Sequence, residues 1–379
     1  MNKNNNKKKL INWISNKTIN DTRINELLKT SMETGRFSNN GPNVLLLEKI
    51  IRKKLQIIDD KDIITVNNGT SALHSMILAI EFKFKKKLKW ATQSFTFPPS
   101  NQGPLSNSLI VDIDNDGGLD LNKIDEDIDG IIITNVFGNI VNISKYEKWC
   151  RDNGKILVFD NAATPFTFFD NKSSCNYGLG SIISFHHTKS IGFGEGGAII
   201  IDNEYGDIVR GINNFGMGLT DNYYLPEGNN FKMSDISAAY IIQYLDNFNK
   251  IIEKHKLLYT YIKNKITEFN MIVKNKIENK IENKIENKKD LIKLFPSFHD
   301  EDKIFPNSIC LLIENNSQKI IDTLLENNIV SRKYYHPLKN TEIANQIYSK
   351  IVCFPCNIDM SLETIDNILK IIFEILLNP

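Results

Sequence analysis

The stretch "SFHHTKSIGFGEGGAIII", Ser184 to Ile201, sets one lysine, Lys189, between two histidines and a run of glycines. Gly192, Gly194 and Gly197 satisfy a Gly-x-Gly-x-x-Gly pattern. A dinucleotide-binding loop of that pattern leaves a strand and opens a helix, so that the helix amino end meets the pyrophosphate. Here "SIISF" precedes the loop and "AIIID" follows it, and both read as strands. Glycines between two strands mark a turn or a close backbone approach. The informative residue is therefore Lys189. A lysine held near apolar walls loses its charge more readily than one in water and becomes a nucleophilic amine.

Amines of this kind form Schiff bases with aldehydes, pyridoxal 5'-phosphate above all. That chemistry requires a carboxylate for the pyridinium nitrogen, a phosphate cradle and an aromatic side chain over the ring. Asp160 ends the strand-like "KILVFD", and open α/β sheets bind ligands at the carboxyl ends of their strands. "NNGTSAL" places Gly69, Thr70 and Ser71 between a strand and a helix, where free amides and hydroxyls suit a phosphate. Phe97 in "SFTFPPS" supplies an aromatic. Each has a plainer explanation alone: a turn-opening Asp in "DNAAT", an ordinary helix cap, a packed Phe.

The elements that must position these residues follow from the apolar pattern between about 60 and 205. "DIITV", "LKWAT", "SLIVDI", "GIIITNV", "KILVFD", "SIISF" and "AIII" read as strands. "SALHSMILAI" and "ISKYEKWCRDNG", which stops on Gly154, read as helices. Continuous apolar strands alternating with helices predict a mostly parallel sheet covered on both faces. A long helical stretch, "IIQYLDNFNKIIEKHKLLYTYIKNKITEF", leads to a smaller second domain. "NKIENKIENKIENKK" puts Lys276, Lys280 and Lys284 at i,i+4, as it does Glu278, Glu282 and Glu286. Like charges at that spacing oppose a helix, so a solvated insertion over about 274–290 is expected. "SLETIDNILKIIFEILL" reads as a helix capped by Ser361 with Glu363 close behind. The divisions are a disordered basic tail over 1–20, a large domain over 21–245 and a small one over 246–379.

Bulk properties exclude several classes. The 379 residues carry a formal charge of +1, which argues against a nucleic-acid partner. No apolar run is long enough for a membrane span, and "LINWI" is too short for a signal peptide. Five scattered cysteines do not make a secreted disulfide framework. Cys353 and Cys356 form a C-x-x-C without the second ligand pair that a metal site needs. The expectation is a reduced, cytoplasmic protein without metal.

In order, the chain resembles the DegT/DnrJ/EryC1/StrS sugar aminotransferases over nearly its whole length. "TGRFSNNGPNVLLLEK" is similar to the family's opening, "NNGTSALHSMILAI" to its phosphate turn and "SFTFPPSN" to the segment with the ring-stacking aromatic. "ILVFDNAATP" resembles the aspartate strand, and "SFHHTKSIGFGEGGAII" the lysine motif. "GNNFKMSDISAAYIIQYLDNF" resembles the segment that enters a partner subunit's site, and "YYHPL" and "CFPCNIDMSLETIDNIL" resemble the carboxyl-terminal domain. The resemblance implies the aspartate aminotransferase-like (type I pyridoxal phosphate) α/β fold: a large domain with a mostly parallel seven-stranded sheet and a smaller α+β domain.

It also implies roles. Lys189 bonds the cofactor, Asp160 pairs with its pyridine nitrogen and Phe97 stacks on its ring. Gly69, Thr70, Ser71 and Ser184 hold the phosphate, with Asn230 reaching the neighbouring subunit's cofactor in a homodimer with shared sites. His186, Lys232, Tyr335 and His336 are candidates for substrate contact. Two positions depart from the family pattern: Ala163 stands where Gln is usual, and Lys232 where Arg is usual; lysine cannot reproduce a bidentate contact. Glu195-Gly196-Gly197 resembles the 4-aminating members. The expected activity is amination of a dTDP- or UDP-linked 4-keto-6-deoxy sugar to its 4-amino-4,6-dideoxy sugar, with glutamate as donor, for glycan decoration. The alternatives are a 3-keto sugar aminotransferase, a sugar dehydratase, whose members carry His at the Lys189 position, or a non-catalytic regulatory relative.

Overall fold

The computed structural model describes residues 10–278, 290–296, 306 and 308–378. Helices α1 (Asp21–Thr34) and α2 (Pro42–Leu55) precede β1 (Lys61–Val66), α3 (Gly69–Phe84), β2 (Trp90–Gln93), β3 (Leu109–Val111), β4 (Gly130–Thr134), α4 (Ile143–Asn153) and β5 (Ile156–Asp160). A short ribbon of β6 (Phe168–Phe169) and β7 (Lys172–Ser173) leads to β8 (Gly180–Ser184) and β9 (Gly197–Asp202). Then come α5 (Gly206–Ile212), α6 (Asp235–Leu245), the long α7 (Phe248–Glu278), β10 (Ile292–Leu294), β11 (Ser308–Ile313), α8 (Ser317–Glu326), α9 (Glu342–Lys350), β12 (Ile351–Pro355) and α10 (Leu362–Leu377).

The main sheet has seven strands in the order β1-β9-β8-β5-β4-β2-β3. Only β9 runs against the others. β4, β5 and β9 are short Ile- and Val-rich runs buried along most of their length, as a sheet covered on both faces requires. One face packs Met76, Ile77 and Ile80 of α3 against Ile132, Val158, Ile182 and Ile199. On the β1-β9-β8 side, Leu47 and Ile51 of α2 and Ile241 and Ile242 of α6 cover Ile63, Ile183 and Ile200. Because β1, β4, β5 and β8 run the same way, Val66, Thr134, Asp160 and Ser184 all end on one edge of the sheet. Asp235, fully buried, takes the Ser31 hydroxyl, the Asn43 amide and the Val44 N–H, and so joins α6 to α1 and α2.

A second, antiparallel sheet, β10-β11-β12, has its own core with α7, α8 and α10, including Leu258, Ile262, Leu311, Phe354 and Ile368. Cys353, in the middle of β12, and Cys356, just after it, are buried free thiols, and no metal-binding cluster occurs among the described residues. Ser361 caps α10 by accepting the Thr364 N–H. The low-complexity run begins inside α7, which continues to Glu278 against the expectation of a solvated insertion from 274; residues 279–289 lie outside the described residues.

The amino-terminal expectation needs correction. Residues 10–20 are not a solvated tail. Ile11 exchanges backbone hydrogen bonds with the segment after α8, at 2.8 Å to the Asn328 carbonyl and 3.0 Å from the Val330 N–H. Trp13 packs edge-on against Tyr334 with ring centroids 5.4 Å apart. A basic, Asn-rich segment with one apolar patch looks solvated in sequence because its partners lie more than 300 residues away. Residues 1–9 lie outside the described residues.

Candidate active site

A cavity of about 590 Å³ opens at the carboxyl edge of the main sheet, between it and the second domain. Asn68, Gly69, Thr70, Phe97, Thr134, Asp160, Ser184, His186, Lys189 and Tyr335 all line it. Six separate stretches of chain thus converge, four of them because parallel strands β1, β4, β5 and β8 end together.

Asp160 is the last residue of β5 and is 5 % exposed. Burial raises its carboxyl above the usual range; the Ala162 N–H, at 2.9 Å, and the charge of Lys189 oppose that shift. Lys189 follows β8 in the loop to β9. Burial lowers its ammonium below the ordinary lysine value, and Asp160 opposes that shift in turn. A buried carboxylate served by one amide keeps acceptor capacity toward the cavity, which a cationic N–H would fill.

The phosphate-like corner is built at the amino end of α3. Asn68 caps the helix by accepting the Ser71 N–H at 2.8 Å, which leaves the Gly69–Thr70 turn facing the cavity. A Cβ on Gly69 would lie 3.0 Å from the Cβ of Ser184, so glycine lets helix and strand approach there. A Cβ on Gly197 would meet the Asn68 carbonyl at 2.5 Å. The last glycine of the Gly-x-Gly-x-x-Gly run thus seats the α3 turn against β9. Helix amides, a hydroxyl and a dipole end make an anion cradle. The chain's residues therefore fit a group with an anionic arm, a cationic ring nitrogen and an amine-reactive carbonyl.

The remaining expected residues divide. Phe97 lines the cavity, is 55 % exposed and tilts against Tyr335 at 6.0 Å. Tyr335 stacks on Phe137 at 5.1 Å with rings 5° from parallel. The imidazole Nδ1 of His186 lies 2.8 Å from the Thr188 hydroxyl, and its Nε2 lies 3.4 Å from Glu195 Oε1. Ala163 lines the cavity at the position where the resemblance called for Gln.

Ser71 is buried outside the cavity lining, with its amide used by the cap. His336 is not in the lining either: it is exposed, its Nδ1 lies 3.0 Å from the Pro337 carbonyl, and its ring rests on Tyr348. Tyr334 and Tyr335 both turn into the cavity, and His336 turns out of it. Lys232 points elsewhere, donating to the Asn213 carbonyl at 3.2 Å and Asn214 Oδ1 at 3.0 Å. Asn230 is exposed and absent from the lining of its own chain's cavity.

Several lining residues escaped the sequence reading: Asn12, Trp13, Ile14, Asn135, Phe137 and Arg332. Arg332 stacks over Trp13 at 4.7 Å and donates to the Tyr334 hydroxyl at 2.7 Å, and among the described residues no carboxylate pairs with it. Its only signal in sequence was its position three residues before Tyr335.

The profile of the DegT/DnrJ/EryC1/StrS aminotransferase family matches residues 18–373. The chain is 24 % identical over 373 residues to a dTDP-4-amino-4,6-dideoxy-D-glucose transaminase of Shigella dysenteriae, covering 92 % of this chain and 94 % of that one. It is 23 % identical to a UDP-4-amino-4,6-dideoxy-N-acetyl-beta-L-altrosamine transaminase of Helicobacter pylori, covering 86 % and 88 %. Among solved structures, Helicobacter pylori PseC, an aminotransferase involved in the biosynthesis of pseudoaminic acid, superposes with a TM-score of 0.79 at 18 % identity, over 97 % of this chain and 99 % of that one. An E. coli GDP-4-keto-6-deoxy-D-mannose-3-dehydratase with bound hydrated pyridoxal phosphate does so with 0.76 at 19 %, over 96 % and 100 %. These two likenesses concern the fold. With a profile match over nearly the whole sequence and a cavity whose residues fit the cofactor, the chain belongs to the DegT/DnrJ/EryC1/StrS aminotransferase family, and its cofactor is pyridoxal 5'-phosphate.

Proposed function

We propose that this enzyme aminates a dTDP- or UDP-linked 4-keto-6-deoxy sugar at C4, with glutamate as amino donor. The observation that carries the reading is the Lys189–Asp160 pair in one cavity at the sheet edge, with the α3 anion cradle beside it. The names of the curated relatives, which are transaminases of 4-amino-4,6-dideoxy sugars, support the position of amination.

When bound, pyridoxal phosphate supplies an electron sink for negative charge at the donor's α-carbon. Asp160 holds a proton on the ring nitrogen, which keeps that sink effective. Lys189 Nζ takes the proton from the donor's α-carbon and returns one on the acceptor half of the cycle; its lowered pKa makes the neutral, basic amine accessible. Gly69, Thr70 and Ser184 bind the phosphate arm. Phe97 would cover the ring, and Tyr335 supports Phe97 at 6.0 Å. Arg332, a cation of the cavity wall with no acidic partner among the described residues, receives the donor's carboxylate.

The proposed assembly is a two-fold homodimer with shared sites. Asn230 is exposed, and from a second copy it would complete the phosphate site. Mixing inactive Lys189→Ala chains with inactive Asn230→Ala chains should restore part of the activity, because mixed dimers rebuild one intact site. Proven subunit exchange without recovery would refute the shared site.

The deciding experiment incubates purified enzyme with glutamate and matched nucleotide-linked 4-keto and 3-keto sugars, with product masses and NMR as the readout. Nitrogen on C3, with the 4-keto sugar untouched, overturns the regiochemistry. Borohydride treatment of the loaded enzyme should lock the cofactor onto the peptide containing Lys189, and a label on another lysine overturns the assignment of the reactive amine.

A further inference from the structure

The loop that carries Lys189 is fastened from outside by a side chain that no step above uses. The Nζ of Lys17 donates to the His187 carbonyl at 2.7 Å, to the Lys189 carbonyl at 2.8 Å and to the Gly192 carbonyl. An ammonium has three N–H donors and no acceptor, so its whole capacity is spent on this one loop. Its charge also lies 4.7 Å from the centre of the Tyr244 ring. His187, His255 and Tyr244 are titratable groups beside it, and among the described residues no carboxylate pairs with it.

The loop needs such a tether. Gly192 and Gly194 leave its backbone freer than other residues would, and fixing it costs conformational entropy. Its backbone–backbone bonds are Lys189 N–H to the His186 carbonyl, Gly192 N–H to the Lys189 carbonyl, and His187 N–H to the Gly194 carbonyl, while the Thr188 and Gly194 N–H groups go to the His186 and His187 imidazoles. These leave the His187 and Gly192 carbonyls to Lys17. The segment bearing Lys17 is itself tied down on both sides. Ile11 bonds the chain after α8, and the Asn12 carbonyl takes the Asn357 amide at 3.0 Å. On the other side, Gln243 of α6 bonds Thr18 and Asn20.

We propose that Lys17 is a positioning residue of the reaction: by gathering three carbonyls of the lysine loop it presents Lys189 opposite Asp160, and it ties that placement to the second domain through residues 11–14. This rests on Lys189 being the reactive amine. Burial favours the neutral form of Lys17, with its pKa lowered to about 7, while three carbonyl acceptors can be filled only by the charged form.

The test uses Lys17→Met, which keeps the stem and removes the donors. In the cofactor-free protein, amides of residues 185–196 should exchange hydrogen roughly tenfold faster than in wild type, while those of α3 and α6 keep their rates. In the loaded enzyme, the pH at which the visible absorption band titrates should move by about half a unit or more. The rate of the donor half-reaction should fall roughly ten- to hundredfold, with KM for the sugar held within about threefold. Loop exchange and band titration equal to wild type overturn the proposal, whatever the activity does. Should Lys17→Met not fold, Lys17→Arg decides: a planar fork cannot send three diverging donors from one nitrogen as an ammonium does, so unchanged loop exchange in that variant also overturns it. If borohydride does not label Lys189 in wild type, the reactive-amine reading falls by itself, and the exchange measurement still judges the tether.

Discussion

Lys189 and Asp160 are both moved toward their neutral forms by burial, and each partly restores the charge of the other. The reciprocity is testable without turnover. In Asp160→Asn the opposing charge is gone, so the Lys189 ammonium should titrate at lower pH still. Amine-directed labelling of Lys189 in the cofactor-free protein should then reach half its maximal rate at a lower pH than in wild type; an equal or higher midpoint would show that the two charges do not interact. The same substitution should cost at least about a hundredfold in transamination, since the ring nitrogen loses its anionic partner. Arg332 makes a second residue-scale prediction. Arg332→Met preserves much of the packing on Trp13 while removing the charge. KM for the amino donor should rise roughly ten- to hundredfold, the worth of a charge-assisted hydrogen bond. Unchanged donor kinetics would remove Arg332 from carboxylate recognition.

At the scale of elements, the site is a set of junctions: β5 to its turn, β1 to α3, β8 to the lysine loop. The β1–α3 junction depends on two local devices. Asn68 caps α3, and Asn68→Ala should lower stability by about 1 kcal/mol in denaturant unfolding. Gly197 of β9 sits under the Asn68 carbonyl, and a Cβ there would need the turn to shift. Gly197→Ala should therefore weaken cofactor retention roughly tenfold or more, read by dialysis against buffer without cofactor, because the amides of Gly69 and Thr70 would be displaced from the phosphate position. Retention equal to wild type would mean that the turn can yield at no cost. The Gly-x-Gly-x-x-Gly pattern thus serves close packing and loop freedom in this chain.

Across the whole molecule, the two domains are joined by polar contacts as well as by apolar ones. Asp112, just after β3, accepts the Ile343 N–H at 3.0 Å and the Ala344 N–H at 3.1 Å, at the amino end of α9 in the second domain. Burial would raise its carboxyl, yet those two amides, Lys123 and the Ile113 N–H together hold it down at about 2. A depressed carboxylate contributes its stability above the ordinary carboxylate range and loses it as pH falls toward about 2. Asp112→Asn should lower Tm at pH 7, by an amount equivalent to roughly 1–3 kcal/mol. The gap from wild type should shrink as pH drops below about 4. A gap independent of pH would mean that the loss is one of shape and not of charge.

What the sequence determined by itself was local in origin. Strands such as "KILVFD", with four consecutive apolar residues, and "SIISF", with three in five, are readable because such short clusters of β-branched and aromatic residues have few other uses. Their ends, with Asp160 and Ser184, were readable with them, and the rule that ligands bind at carboxyl ends of strands turned those ends into a candidate site. The order of motifs carried the family. Tertiary structure alone decided which neighbours face inward. Tyr335 entered the cavity and His336 did not, and Lys232 turned toward Asn213 and Asn214. It also made Trp13 and Arg332 parts of one site, although Trp13 lies 319 residues from Arg332 in sequence. Side-chain direction in irregular segments and contacts across such separations depend on how two domains dock. No periodicity records that, because the energy of those contacts belongs to pairs of residues and not to any one stretch of chain.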